Sequence, residues 1–337
     1  MTHPAPPPAP SPHDAAAPMP PVAPATHDAA TPDGEKLSAV RRYRVIHDTH
    51  FAYSAPVSLD QTVLRLQPRT SVLQQLRDFT MHVDPQPARH THGIDLHGNI
   101  RHWMWFTQQH ADLHITTTST VDCLLHDPFD YIIVDEGVTR LPARYAEPVK
   151  SAAAHYRKRD GLHPAVDALA RQVMHDADHQ TVIFLGKLAA HLQQTIRQVL
   201  RYEGDPYTPT ETLERGEGAC RDSAVLFMDA CRAVGLAARF VSGYAWDALE
   251  QDQRELHAWA EVYLPGAGWR GYDPTTGLAC ANRHIAVAAS PTPSYAAPTT
   301  GTFTGPKVNS SLDYKIHMTV EELPAVQRPA GTTFVWP

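Results

Sequence analysis

Cys220, His257 and Asp273 are the residues of this 337-residue sequence whose types and surroundings suit nucleophilic chemistry. Cys220 follows Gly218-Ala219 and precedes Arg221-Asp222 and an apolar stretch from Ser223 to Val234 that stops at Gly235. Small residues before the sulfur and helical periodicity after it predict a cysteine on the first turn of a helix. The unpaired N–H groups of a helix start carry roughly half a positive charge, which stabilises a thiolate and makes the cysteine a better nucleophile. Arg221 adds a second positive charge beside it. Asp222 has the place of a first-turn helix acid, where it stabilises the dipole rather than reacting.

A base and its orienting carboxylate come from the next segment. Leu256 to Leu264, the Pro265-Gly266-Ala267-Gly268 turn and Trp269 to Thr275 read as a β-hairpin. Along its first strand His257, Trp259, Glu261 and Tyr263 share one face. Asp273 returns along the second strand toward the level of His257, although simple pairing across the turn leaves the two a few residues out of register. The trio fits a nucleophile, the base that deprotonates it and a carboxylate that holds the imidazole in the useful tautomer. The chemistry expected is acyl transfer: the thiolate attacks an amide carbonyl, the Cys220 backbone N–H meets the oxyanion, and a thioester remains. Trp259 and Trp269 are expected to wall the site or fill the core, and Glu261 to lie outside it.

These segments, together with Cys231 to Tyr244, resemble the bacterial transglutaminase-like core, whose members are often labelled cysteine proteases. Four motifs occur in the family's order; Ala219 stands where valine is more usual. The resemblance implies an α+β architecture with a papain-like, transglutaminase-like core, in which a helix bearing the cysteine packs on an antiparallel sheet. It also implies peptide or protein substrates. Water as acyl acceptor would make a peptidase or amidase, the favoured reading; a lysine or polyamine would make a crosslinking glutamyltransferase. A catalytically silent peptide-binding module is the alternative of another class.

Composition sets the outer bounds. A net charge of -7 with a pI near 6.3 argues against a nucleic-acid binder, which would show a basic face. Four cysteines form no disulfide framework, and no Cys-x-x-Cys or His-Glu-x-x-His spacing supports a metal; Cys123, Cys231 and Cys280 read as packing residues. The histidines at 90, 92, 97, 102, 110 and 114 match no metal template. No cofactor is expected. Without a secretion signal or an apolar run of roughly 20 residues, the expectation is a cytoplasmic protein with no membrane partner.

Along the chain, residues 1–36 are rich in proline and alanine and read as a disordered tail. Residues 38–126 alternate in short strands, at Tyr43–His47, Thr62–Leu66, Phe79–Val83, Ile100–Phe106 and Leu113–Val121, and predict an all-β, sandwich-like domain. Tyr43 through Val57, Leu66-Gln67-Pro68-Arg69 and the Gly98-Asn99 turn look like the N-terminal domain that usually precedes the bacterial core. Residues 140–325 are assigned to the core, with a helical lead-in and a closing strand near Asp313–Val320, and 326–337 to a loose tail. In the lead-in, Ile183, Leu185, Leu188, Leu192, Ile196, Val199 and Leu200 mark one apolar helix face expected to pack beside the Cys220 helix. The loop after it, with Tyr202 and Tyr207, feeds the nucleophile.

Overall fold

The computed structural model describes residues 40–201, 204–246, 255–305 and 307–324. The tails expected at 1–36 and 326–337, and Tyr202, lie outside these residues. The first unit contains β1 (Val40–Leu59), β2 (Thr62–Leu64), β3 (Gln74–Asp84), β4 (Arg89–Ile94), β5 (Ile100–Trp105) and β6 (Gln109–Cys123). A helical lead-in follows: α1 (Glu136–Thr139), α2 (Val149–Ala152), α3 (Pro164–Asp176) and α4 (Thr181–Thr195). Next come β7 (Arg197–Gln198), α5 (Pro209–Arg215), β8 (Glu217–Gly218) and α6 (Cys220–Ala233). A second sheet is made by β9 (Ala238–Ala245), β10 (His257–Leu264), β11 (Gly268–Asp273), β12 (Leu278–Ala279) and β13 (His284–Ser290). The chain then returns to the first unit through β14 (Thr299–Thr300), β15 (Phe303–Thr304) and β16 (Ser310–Leu323).

β1 is the element both units share. β6 pairs with one of its edges; β16 and the short β15 pair with the other, and β3 extends the sheet beyond β6. A smaller sheet, ordered β14-β2-β5-β4, covers part of it. Val57 and Leu59 of β1, Leu64, Met104, Leu113 and Ile115 fill the space between these two sheets, the sandwich that the strand pattern predicts. The other half of β1 faces elsewhere. Tyr43 and Val45 pack with Val121, Ile316 and Met318 against Tyr244, Ile285 and Val287 of the sheet formed by β9 to β13, so the two units share a core. Burying each such aliphatic or aromatic side chain contributes roughly 1.5–3 kcal/mol.

The closing strand therefore differs from expectation in where it pairs. Over Ser310–Leu323 it runs antiparallel to β1 from Tyr53 back to Val40, and it completes the first sheet, not the second. Alternation identifies a strand but not its partner. The predicted helix over Ile183–Leu200 also ends early, at Thr195. Thr195 turns its hydroxyl onto the His191 carbonyl at 2.8 Å, and the next residues leave the helix to pair in parallel with β8. Leu185, Leu188 and Leu192 of α4 share a core with α6, as the periodicity implies, whereas Leu200 is 51 % exposed.

α6 packs on the second sheet, ordered β12-β11-β10-β9-β13. Its C-terminus closes as a Schellman motif, with Gly235 N–H donating to Arg232 O and Leu236 N–H to Cys231 O, both at 3.0 Å, and φ of +88° at Gly235. Arg232 in the last turn donates to the carbonyls of Tyr156, Lys158, Ala238 and Pro291. Arg159 holds the helix from the side through both oxygens of Asp229. β13 is an edge strand, and its outer backbone is met by two amide side chains of the first unit. Gln74 accepts from and donates to Ala286, and Asn99 does the same at Ala289, all at 2.8 Å. Each amide stands in for a neighbouring strand and prevents an unpaired edge.

Candidate active site

Cys220 is the first residue of α6 and is partly exposed. Ala219, before it, offers no side-chain acceptor, so the cap is supplied from within the helix. Asp222 reaches back to the Ala219 N–H at 2.7 Å, accepts from Tyr207 N–H at 2.8 Å and pairs with Arg201 at 2.6 Å. The carboxylate is wholly buried, so the helix acid expected from sequence also ties the preceding loop to the helix start. Gly218 makes room for it: a Cβ there would come within 2.8 Å of the Asp222 Cβ. Arg221, expected as a charge beside the sulfur, donates to the carbonyls of Arg201 at 2.6 Å and Gly204 at 3.2 Å. The Tyr207 ring lies under two guanidinium groups, with Arg201 at 3.6 Å and Arg215 at 4.5 Å from its centroid.

His257 opens β10 and Asp273 closes β11. Pairing runs from Ala260–Tyr272 to Leu264–Gly268 without a bulge, so the register carried one step further sets Asp273 opposite Trp259, diagonal to His257. That offset, left open by the sequence, is bridged by the side chains alone: His257 Nε2 lies 2.8 Å from Asp273 Oδ2. Both groups are buried, at 6 % and 0 % side-chain exposure. Burial by itself would lower the imidazole's pKa, but the charge and hydrogen bond of the adjacent Asp273 carboxylate raise it to about 10. Against the burial that opposes it, the same contact and a second one from His284 hold the Asp273 carboxyl well below the usual range. Each group thus favours the charged form of the other.

Around Asp273 the remaining acceptor sites are taken. Thr275 N–H donates to Oδ1 at 2.9 Å, and His284 Nε2 lies 3.2 Å from Oδ2. The side-chain ligand atoms of His257, Asp273 and His284 lie within 4.8 Å of one another, the spacing of a small-ion site. The shared oxygen already lies within hydrogen-bond distance of both rings, however, so the trio is held together as a hydrogen-bonded cluster. Trp259 is core, buried with Val241, Cys280 and Ala289, and its ring edge meets His284 at a centroid distance of 5.1 Å. Glu261 is held away from the site by Arg239, at 2.5 Å. Trp269 packs on Tyr156 and Tyr263 under the Arg239 guanidinium.

Cys220, His257, Tyr207 and Thr275 line one cleft of about 1110 Å³. The first unit also contributes to its lining, with Thr49 and Phe51 from β1 and Leu312 and Tyr314 from β16. His47 at its back is hydrogen-bonded to the Tyr244 hydroxyl at 3.0 Å, and burial lowers its pKa to about 4, so it stands there as a neutral ring. Gln198, exposed on the wall beside Cys220, donates through Nε2 to the Ser223 hydroxyl at 3.1 Å. Sequence reasoning missed Gln198 and His284; the one signal available for His284 was a histidine opening a strand that alternates after the hairpin.

The other cysteines are buried packing residues, as expected. Burial pushes the Cys123 thiol up to about 12 and raises those of Cys231 and Cys280 as well. His90, His92 and His102 stack on the β4–β5 ladder, His102 with its pKa lowered to about 4 by burial and its two neighbours. No helix among the described residues is long and apolar enough to cross a membrane.

Comparison with known proteins agrees with this layout. Residues 167–274 match the model of the transglutaminase-like superfamily, and residues 43–122 that of the bacterial transglutaminase-like N-terminal region. An uncharacterized protein of Mycobacterium tuberculosis is 31% identical over 272 residues, covering 74% of this chain and 84% of the relative. One from Mycobacterium leprae is 24% identical over 302 residues, covering 82% and 98%. A solved structure from Cytophaga hutchinsonii, described as a candidate cysteine protease, superposes with a TM-score of 0.63 at 17% identity, covering 89% of this chain and 95% of that one, and so shares the fold. With its cysteine-headed helix on an antiparallel sheet and its paired N-terminal domain, this chain belongs to the transglutaminase-like superfamily, in a form found in bacteria.

Proposed function

We propose that this protein is a cysteine acyl transferase that cleaves peptide or carboxamide bonds through a thioester, with Cys220 as nucleophile, His257 as base and Asp273 as the group that orients the ring. The observation that carries this reading is that the partly exposed Cys220, at the start of its helix, and His257, held by the buried Asp273 at 2.8 Å, line one cleft. The proton of the thiol rests on His257 as Sγ bonds to the carbonyl carbon. The oxyanion meets the Cys220 backbone N–H, which at a helix start has no intrahelical acceptor, and the second amide hydrogen of Gln198. The amine departs with the proton held by His257. Water, admitted by the open cleft, then attacks the thioester with His257 again as base, releasing the acid and restoring the thiol. The four cysteines are free, which suits the reducing cytoplasm where we place the reaction.

The test is incubation of the full chain with a peptide library and a labelled primary amine, read by mass spectrometry. Cleavage or deamidation that disappears in Cys220→Ser, with the melting temperature of that variant within a few degrees of wild type, is the expected result. Amine incorporation would assign the crosslinking reaction instead. Peptide binding without any Cys220-dependent product would leave only the silent binding module.

A further inference from the structure

We propose that His284 is a positioning residue for the His257–Asp273 pair, holding the carboxylate in place from the side opposite the cleft. The proposal rests on the acyl-transfer reading above and adds a fourth side chain to it. Asp273 Oδ2 is shared by two imidazoles, His257 Nε2 at 2.8 Å and His284 Nε2 at 3.2 Å. His284 Nδ1 is buried and has no hydrogen-bond partner. A proton on Nδ1 would therefore be a buried donor without an acceptor, which costs more than the alternative tautomer. The ring is held with its hydrogen on Nε2, and that hydrogen goes to Asp273.

The surroundings fix this donor as firmly as the carboxylate it serves. His284 is the first residue of β13, the strand whose outer edge is gripped by Gln74 and Asn99 of the first unit. Its ring abuts the buried Trp259, and the Cys123 thiol lies 3.7 Å from its carbonyl oxygen. On its other side is a second cavity of about 400 Å³ that it lines with Arg69, Arg239, Glu261 and Cys280. Of these charged groups Arg239 and Glu261 neutralise each other, and Arg69 is turned to the carbonyl of His97 and the amide of Asn99. Asp273 and His257 are thus the ionisable groups in direct hydrogen-bonding or ring contact with the imidazole.

Two effects follow from sharing one oxygen. The second N–H stops the carboxylate from rotating away from His257, so the base keeps its orientation. It also draws charge from Oδ2, which limits how strongly Asp273 stabilises the protonated form of His257, and a base held too firmly as imidazolium cannot accept the thiol proton. The first unit of the fold thereby reaches the reacting groups through β13.

The experiment is a ¹⁵N-histidine NMR titration of the full chain carrying Cys220→Ala, with His284 intact, His284→Gln or His284→Phe. We expect His284 to be protonated at Nε2 alone, and the His257 midpoint to move upward by roughly half a pH unit or more in His284→Phe. The Gln variant, which keeps an N–H donor, should return most of that shift. A His257 midpoint unchanged in His284→Phe, or one restored by Phe and not by Gln, would overturn the proposal, since the ring would then act through its packing on Trp259. A separate arm protects this conclusion from failure of the underlying reading. Iodoacetamide alkylation of Cys220, compared between wild type and His257→Ala, should slow in the variant. Equal rates there would remove the acyl-transfer reading itself, whereas slower alkylation with an unmoved His257 midpoint would remove only the role of His284.

Discussion

Removing the Asp222 side chain should loosen the loop that leads to Cys220. In Asp222→Ala three donors lose their acceptor: the Ala219 N–H at 2.7 Å, the Tyr207 N–H at 2.8 Å and Arg201 Nη1 at 2.6 Å. An unsatisfied buried donor costs about 1–3 kcal/mol. The Arg201 side chain is 18% exposed and can turn to water, so the two backbone groups dominate, and the loss is about 4 kcal/mol. For a domain of this size that lowers the melting temperature by roughly 10 °C. Asp222→Asn keeps one acceptor oxygen but turns an NH₂ toward another donor, so it should lose about half as much. Urea unfolding gives the free energies, and hydrogen exchange at the Tyr207 amide shows whether the loss is local. If Asp222→Ala stays within 1 kcal/mol of wild type and the Tyr207 amide keeps its protection, the carboxylate is not what ties the loop down.

Other expected outcomes concern the buried ion pair and the sheet beneath it. His257 is raised from 6.5 to about 10, so its contribution to stability is complete below pH 6.5 and is lost as pH rises through 10. Asp273 is depressed from 3.8, so its contribution holds above that value and is lost on acidification. Wild type should therefore lose on the order of 5 kcal/mol between pH 6.5 and 10, from that difference at 1.36 kcal/mol per pH unit, and Asp273→Asn should lose much less. Parallel urea midpoints for the two across this range would contradict the linkage. Gly243→Ala places a Cβ 2.1 Å from the Ile285 carbonyl oxygen and 2.7 Å from the Trp259 ring, which forces β9 away from β13. More than about 3 kcal/mol should be lost, and an unchanged urea midpoint would refute the close approach.

Much of the site was readable because its residues sit at structure-marking positions. The apolar run after Cys220 and its glycine stop define α6, and the aromatic strands around Pro265 to Gly268 define β10 and β11. What the sequence concealed was partner choice and polar structure. β4 carries Arg89, His90, Thr91 and His92, nearly all exposed, so no apolar alternation marks it as a strand. β1 reads as a strand only around Tyr43–His47 yet runs to Leu59, because beyond that point it continues over an irregular step between Ala52 and Val57. His284 looked like one scattered histidine among many, and only the fold brings it to Asp273. Long-range pairing of this kind leaves no local trace in composition.

The return of β16 to β1 sets the order in which the cleft beside Cys220 can be built during synthesis. Ribosomes deliver the N-terminal strands first, but β1 gains its outer neighbour only after residues 310–323 have emerged. Cys220, His257 and Asp273 are all translated before Leu312 and Tyr314, which line the same cleft as Cys220 and His257. A nascent chain that has not yet delivered β16 would carry Cys220 beside an unfinished cleft, so under the proposed function removal of that strand by proteolysis should abolish activity without touching Cys220, His257 or Asp273.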